Sequence, residues 1–178
     1  DLVLNSFEGG WQEAESISSY NVRKLVRLAL VSSAMQNCNA TKDGKCLRYR
    51  DSWKKNKYDK DSFAESFKQN LSDIKADIEE KPIHAKSKIL TGDCRNILQK
   101  SDEIKNFKLC VTSPPYLNTF DYTDIYRPEL FLGKFVVGSQ ELYDLRLGTV
   151  RSHVQAKWKE PILKNFGLLY EQTMKHII

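Results

Sequence analysis

No apolar run in this sequence approaches the roughly 20 residues that cross a bilayer, so a membrane-spanning helix is not expected. No basic-then-apolar leader opens the chain, which excludes a secretory signal of the usual form. The first residue is Asp1 rather than Met, the mark of a fragment or a processed product. Histidine is scarce, with three in 178 residues, and the four cysteines are scattered. No CxxC pair or Cys/His cluster is present, which argues against a zinc site, and no metal is expected. Cys94 and Cys110 sit in apolar segments and read as buried thiols. Cys38 and Cys46 flank a glycine-containing loop and could pair under oxidising conditions. The overall pattern reads as a reduced, cytoplasmic protein. Internal repeats and low-complexity tracts are also missing.

The remaining composition is that of an ordinary folded chain, 40% hydrophobic and 29% charged. Its length suits one domain, or one domain plus an appendage. The net charge of +5 is concentrated. Residues 42–60, KDGKCLRYRDSWKKNKYDK, carry eight Lys or Arg against three Asp, which equals the whole excess. Tyr49, Trp53 and Tyr58 are interleaved with that charge. Cations neutralise phosphates and aromatic faces stack on bases, so Arg48, Arg50, Lys54 and Lys55 are candidate DNA contacts. The competing reading is a solvated loop with its aromatics packed down.

Hydrophobic spacing predicts a helix over 20–37, with Val22, Leu25, Val26, Ala29 and Leu30 on one side. NATKDGK follows as a loop. A long helix is predicted over about 61–80, where Phe63, Phe67, Leu71, Ile74 and Ile78 form a stripe, with Asp61 or Ser62 as its cap. Residues 80–88 read as a basic linker. The predicted division is therefore a mainly helical region over 1–86 and a partial α/β catalytic domain over 87–178. In the second region, KILTGDCRNIL predicts a strand, a Gly-Asp turn and a short helix. NFKLCVTSPPY predicts a second buried strand ended by two prolines, which cannot continue a ladder. Strand, helix and strand in about 25 residues imply a parallel sheet, with Gly92-Asp93 and Ser113–Tyr116 at its carboxyl edge. Beyond the corner, FDYTDIYRPELFLGKF reads as irregular. SQELYDLRLGTV and the segment from Pro161 onward read as helices.

ILTGDCRNILQ followed by FKLCVTSPPY resembles the amino-group DNA methyltransferases that use S-adenosylmethionine. In that family a strand ending in Gly-Asp, a helix and a strand ending in a Pro-Pro-aromatic corner follow one another. The Ser-Pro-Pro-Tyr form is typical of enzymes acting on the exocyclic amine of cytosine. DYTDIYRPELF, RLGTVRSH and RLALVSSAMQN with KDGKCLRY also resemble those enzymes, less specifically. The resemblance implies part of a Rossmann-like sheet, S-adenosyl-L-methionine as cofactor and double-stranded DNA as substrate. It assigns Ser113, Pro114, Pro115 and Tyr116 to the target base, and Gly92 and Asp93 to the cofactor's adenosine. Asp121, Tyr122, Asp124 and Arg127 follow the corner and are candidates for the base pocket or for DNA contact. Glu129 and Arg151 are a candidate ion pair.

The implied chemistry accounts for these residue types. An aromatic amine is a poor nucleophile because its lone pair is delocalised into the ring. The Ser113 hydroxyl and the Pro114 carbonyl are fixed dipoles that favour the positive charge growing on nitrogen. Tyr116 offers a face to a base extruded from the duplex. One family feature is missing, a Phe-x-Gly-x-Gly loop at the first strand. FEGGW at 7–11 has the wrong spacing and no apolar strand before it. The expectation is a middle portion of a methyltransferase, partnered by the missing half of the enzyme or by a cognate restriction endonuclease. An adenine-directed enzyme and a catalytically inactive nucleic-acid-binding fragment stay open as alternatives.

Overall fold

A computed structural model describes residues 1–44, 46–80, 82, 87–92, 97, 107–113, 121–149 and 168–176. Helix α1 spans Leu2–Glu15, with the Asp1 carboxylate accepting from the Val3 N–H at 2.9 Å. Helix α2 spans Tyr20–Gln36 and is capped by Ser19. The FEGGW string lies inside α1. Glycine within a helix costs about 1 kcal/mol relative to alanine, so a compensating reason is expected. Gly10 supplies one, because a Cβ there would lie 2.7 Å from Leu30 Cδ2. The missing side chain lets α1 and α2 approach closely.

The predicted loop after α2 contains a hairpin. Strand β1, Ala40–Lys42, pairs antiparallel with β2, Leu47–Tyr49, with Thr41 opposite Arg48. Gly44 turns it with φ +60°, a conformation that glycine adopts without strain. Cys38 and Cys46, at its two ends, are free thiols.

Helix α3 spans Lys60–Glu80. Its cap is Asp59, not Asp61 or Ser62. The Asp59 carboxylate accepts from the Asp61 N–H at 3.1 Å and the Ser62 N–H at 2.9 Å, while Ser62 Oγ accepts from the Asp59 N–H at 3.0 Å. This reciprocal arrangement is a capping box with serine in the return position. The hydrogen bonds from Ser62 hold the Asp59 carboxyl below the usual carboxylate range. A lowered folded-state pKa gives stability that is present above the unfolded value and lost as pH falls through the folded one. Asp59→Ala is therefore expected to lower Tm at neutral pH. The deficit should close below about pH 4, where aspartate protonates in the unfolded chain. Thermal melts at a series of pH values measure both.

The core lies among the three long helices and includes Val3, Phe7, Ala14, Leu30, Ala34 and Phe63. Partly buried Trp11, Val26, Tyr58, Phe67 and Leu132 pack around it. A polar seam fixes the register of α2 against α3. Asn70 Nδ2 donates to Ser33 Oγ at 2.9 Å, and Asn37 Nδ2 donates to the Ser33 carbonyl and to Ser66 Oγ, each at 2.9 Å. The predicted apolar faces are shorter than expected, since Val22 and Ile78 are exposed. Both lie towards helix ends that run past the packed centre.

Residues 121–136 are helical where irregular chain was expected. Helix α4 is Tyr122–Ile125, capped by Asp121, and α5 is Arg127–Leu132, with Pro128 in its first turn. Lys134 ends α5 at φ +57°. Its ammonium contacts Glu8 and lies 5.8 Å from the Phe7 ring, which ties this segment to α1. Helix α6, Ser139–Gly148, matches expectation. Helix α7, Leu168–Lys175, agrees with the described part of the last predicted helix. Pro161, where that helix was expected to start, lies outside the described residues.

The parallel strand pair is the main correction. Residues 87–92 and 107–113 are described and form no strand. Ile89, Phe107, Leu109 and Val111 are exposed, and Cys110 is exposed rather than buried. A strand of a parallel sheet needs a hydrogen-bonded neighbour and cover on both faces. The described residues supply neither, so the apolar runs stay without regular structure and exposed. The described fold is thus mixed, helical with one two-stranded sheet. No described helix is long and apolar enough to cross a membrane.

Candidate functional site

Gly92 and Ser113 are the two motif residues the structure describes. Gly92 has φ +144°, and a Cβ placed on it would lie 2.9 Å from Ile97 Cδ1. The dihedral favours glycine, as expected of a sharp turn. Ser113 is exposed and ends the described run 107–113. Asp93, Pro114, Pro115 and Tyr116 lie outside the described residues, as do Arg151, His84, His153 and Cys94.

The residues after the corner have local roles. Asp121 is buried and caps α4, accepting from the Thr123 N–H at 2.9 Å and the Thr123 hydroxyl at 2.6 Å. Arg146 Nε lies 2.9 Å from Asp121 Oδ2 and 3.0 Å from Thr123 Oγ1. Asp121 therefore joins α4 to α6 instead of facing a ligand. Tyr122 is half exposed and its ring stacks on Tyr126 at 6.5 Å between centroids. Arg127 is paired with Asp124 at 3.4 Å. Glu129 pairs with Lys42, whose ammonium also lies 3.8 Å from the Tyr126 ring centroid. That contact fastens the hairpin to α5. It joins residues far apart in sequence, and no local pattern announces it.

The basic segment divides sharply. Arg50 donates through Nε to the Cys38 carbonyl at 2.9 Å and through a terminal nitrogen to the Met35 carbonyl at 3.3 Å. It satisfies carbonyls at the end of α2, a structural role favoured by the negative pole of the helix. Arg50 thus spends two of its donors on the backbone. Arg48 lies between Asp43 at 3.1 Å and Asp51 at 3.2 Å. Lys54 and Lys55 are exposed, and Lys54 Nζ sits 5.5 Å from the Trp53 ring centroid. Tyr49 and Trp53, 69% and 45% exposed, face each other at 5.4 Å between centroids. Only Tyr58, among the three interleaved aromatics, packs onto the core.

A cleft of about 780 Å³ opens beside the hairpin, lined by Leu2, Met35, Cys38, Tyr58, Pro128 and Phe131 among others. Its walls are mostly apolar, and none of the predicted site residues lines it.

Comparison with known proteins adds one relative. No family model matches the sequence, and no solved structure matches it. The chain is similar to the Type II methyltransferase M.BsoBI of Geobacillus stearothermophilus, at 30% identity over 174 residues. The similarity takes in 83% of this chain and 33% of the relative, so the chain spans about a third of that protein's length.

Proposed function

We propose that this chain is part of a DNA methyltransferase of a restriction–modification system. It moves a methyl group from S-adenosylmethionine to the exocyclic amine of cytosine. The carrying observation is the similarity to a Type II methyltransferase, in a chain whose Gly-Asp turn precedes a Ser-Pro-Pro-Tyr corner. The reading carries with it a Rossmann-like sheet completed by further methyltransferase sequence, double-stranded DNA as substrate and a cognate restriction endonuclease as companion in the reducing cytoplasm.

The residues suit the cofactor. Gly92 provides a turn at φ +144°, a conformation suited to glycine, whose bare backbone can approach a ligand closely. The adjacent Asp93 has the chemistry to accept a hydrogen bond from an adenine amine. Bound S-adenosylmethionine supplies an electrophilic methyl on its sulfonium. Ser113 Oγ and the Pro114 carbonyl accept the two hydrogens of the target amine and turn its lone pair toward that methyl. Their dipoles are fixed before reaction and favour the charge that develops on nitrogen. The prolines add no competing N–H, and Tyr116 stacks on the flipped base, offsetting part of the few kcal/mol that flipping costs.

The test is incubation of the chain with methyl-labelled S-adenosylmethionine and unmethylated plasmid, followed by nucleoside mass spectrometry. N4-methylcytosine is the expected product. N6-methyladenine would move the target to adenine and overturn the cytosine assignment. A second reading, an inactive nucleic-acid-binding fragment, rests on the basic segment 42–60 with its exposed Lys54 and Lys55. It predicts DNA retention without label, even when the rest of a homologous enzyme is supplied as a second chain.

A further inference from the structure

The hairpin arm has a feature that methyl transfer does not use. We infer that Tyr49 and Trp53, with Lys54 and Lys55, form a stacking platform for an unpaired segment of DNA. The inference rests on the DNA reading above and specifies a surface that takes unstacked bases.

Three observations converge on it. First, the three carboxylates of residues 42–60 are already engaged, Asp43 and Asp51 by Arg48 and Asp59 by the cap of α3. Lys54 and Lys55 stand exposed on the turn, with no carboxylate of residues 42–60 against them. Second, the adjacent Tyr49 and Trp53 rings lie open to solvent, whereas Tyr58, ten residues or fewer away, is packed down. A merely solvated loop would hide its large aromatics as Tyr58 is hidden. Third, the arm is held in place. The Arg50 N–H bonds to the Asn39 carbonyl at 2.8 Å and Asn56 Nδ2 bonds to Asn39 Oδ1 at 3.2 Å. The Trp53 N–H bonds to the Arg50 carbonyl at 3.0 Å. A platform ordered in advance loses little entropy on binding.

The partner follows from the chemistry. Aromatic faces accept the π-face of any base, and ammonium groups neutralise the flanking phosphates. Duplex DNA hides its base faces in the stack, so an unstacked strand fits this surface better. An enzyme that extrudes a base exposes that nucleotide's π-face and leaves its partner base unpaired beside the target.

Fluorescence anisotropy of the full chain with labelled oligothymidylate of about 15 nucleotides, and with a blunt duplex of the same length, tests this. In the Tyr49→Ala/Trp53→Ala double variant, affinity for the single strand should fall about tenfold or more, with duplex affinity unchanged. In Lys54→Ala/Lys55→Ala, the slope of log K against log salt should become shallower by about 1.4, the value for two phosphates on a single strand. All four side chains are exposed, and an unchanged Tm confirms that the variants fold. The inference fails if wild type does not bind oligothymidylate, or if the aromatic variant binds it unchanged. It also fails if single strand and duplex lose affinity equally, or if oligouridylate binds more tightly than oligothymidylate. Methyl transfer is read separately. Label incorporation with oligothymidylate affinity unchanged in the aromatic variant overturns the platform alone, and platform binding without incorporation, even with the rest of a homologous enzyme supplied as a second chain, overturns the methyltransferase reading alone.

Discussion

Ser113→Ala should lower the rate of methyl transfer by about 10²–10³-fold, the scale on which a single preorganised hydrogen-bonding group acts at a reacting centre. Ser113 is exposed, so removing its hydroxyl opens no cavity in the core. Tm should therefore be unchanged. Affinity for DNA should also hold, because the exposed lysines and aromatics of the hairpin arm lie elsewhere in the sequence and are untouched. The combination distinguishes a residue that acts on the target amine from one that supports the fold. It is measured as kcat for label transfer, with DNA affinity and Tm on the same preparation. Parallel loss of transfer, affinity and stability would show Ser113 to be structural and would remove the corner from the catalytic assignment.

The fold was legible where a single helix face carries the information. Phe63 and Phe67 mark the packed face of α3, and Ala29 and Leu30 that of α2, because a 3.6-residue period exposes which side must be buried. Helix α1 was not separately predicted. Its Gly9 and Gly10 weaken the local signal, and the reason for Gly10 lies in another helix at Leu30. The hairpin was missed because its strands are three residues each, too short for alternation to register. The apolar runs at 89–90 and 107–111 show the opposite error. Their composition states a demand for burial, but burial requires a neighbouring strand and a covering layer, which a run of residues cannot itself supply. At the candidate site, the resemblance pointed to Gly92 and Ser113, and the positive φ at Gly92 fits the turn that the Gly-Asp pair predicts. Composition treated Arg48, Arg50, Lys54 and Lys55 as equivalent. They are not, because Arg50 meets the carbonyls of Met35 and Cys38 through a contact set by tertiary structure.

Phe7→Ala should be the most damaging single truncation in the helical body, at about 3–5 kcal/mol. Phe7 is fully buried, and its ring lies 5.6 Å from that of Trp11. It belongs to the same cluster as Leu30 and Phe63, so it touches the packing of all three long helices. The ring also receives the Lys134 ammonium from the segment that follows α5, and its loss weakens that docking as well. Domains of this size are stable by only about 5–15 kcal/mol, so the variant should fold with a much lower urea midpoint or not fold at all. Phe7→Leu, which refills most of the volume, should cost far less and keeps the experiment informative if the alanine variant is insoluble. Leu109→Ala is the control. Leu109 is 78% exposed, and its loss should change stability by no more than about 0.5 kcal/mol. Urea titrations followed by far-UV circular dichroism compare the three. A cost at Leu109 equal to that at Phe7 would mean that the run 107–113 is packed in solution. The centre of stability would then lie in the predicted sheet and not among α1, α2 and α3.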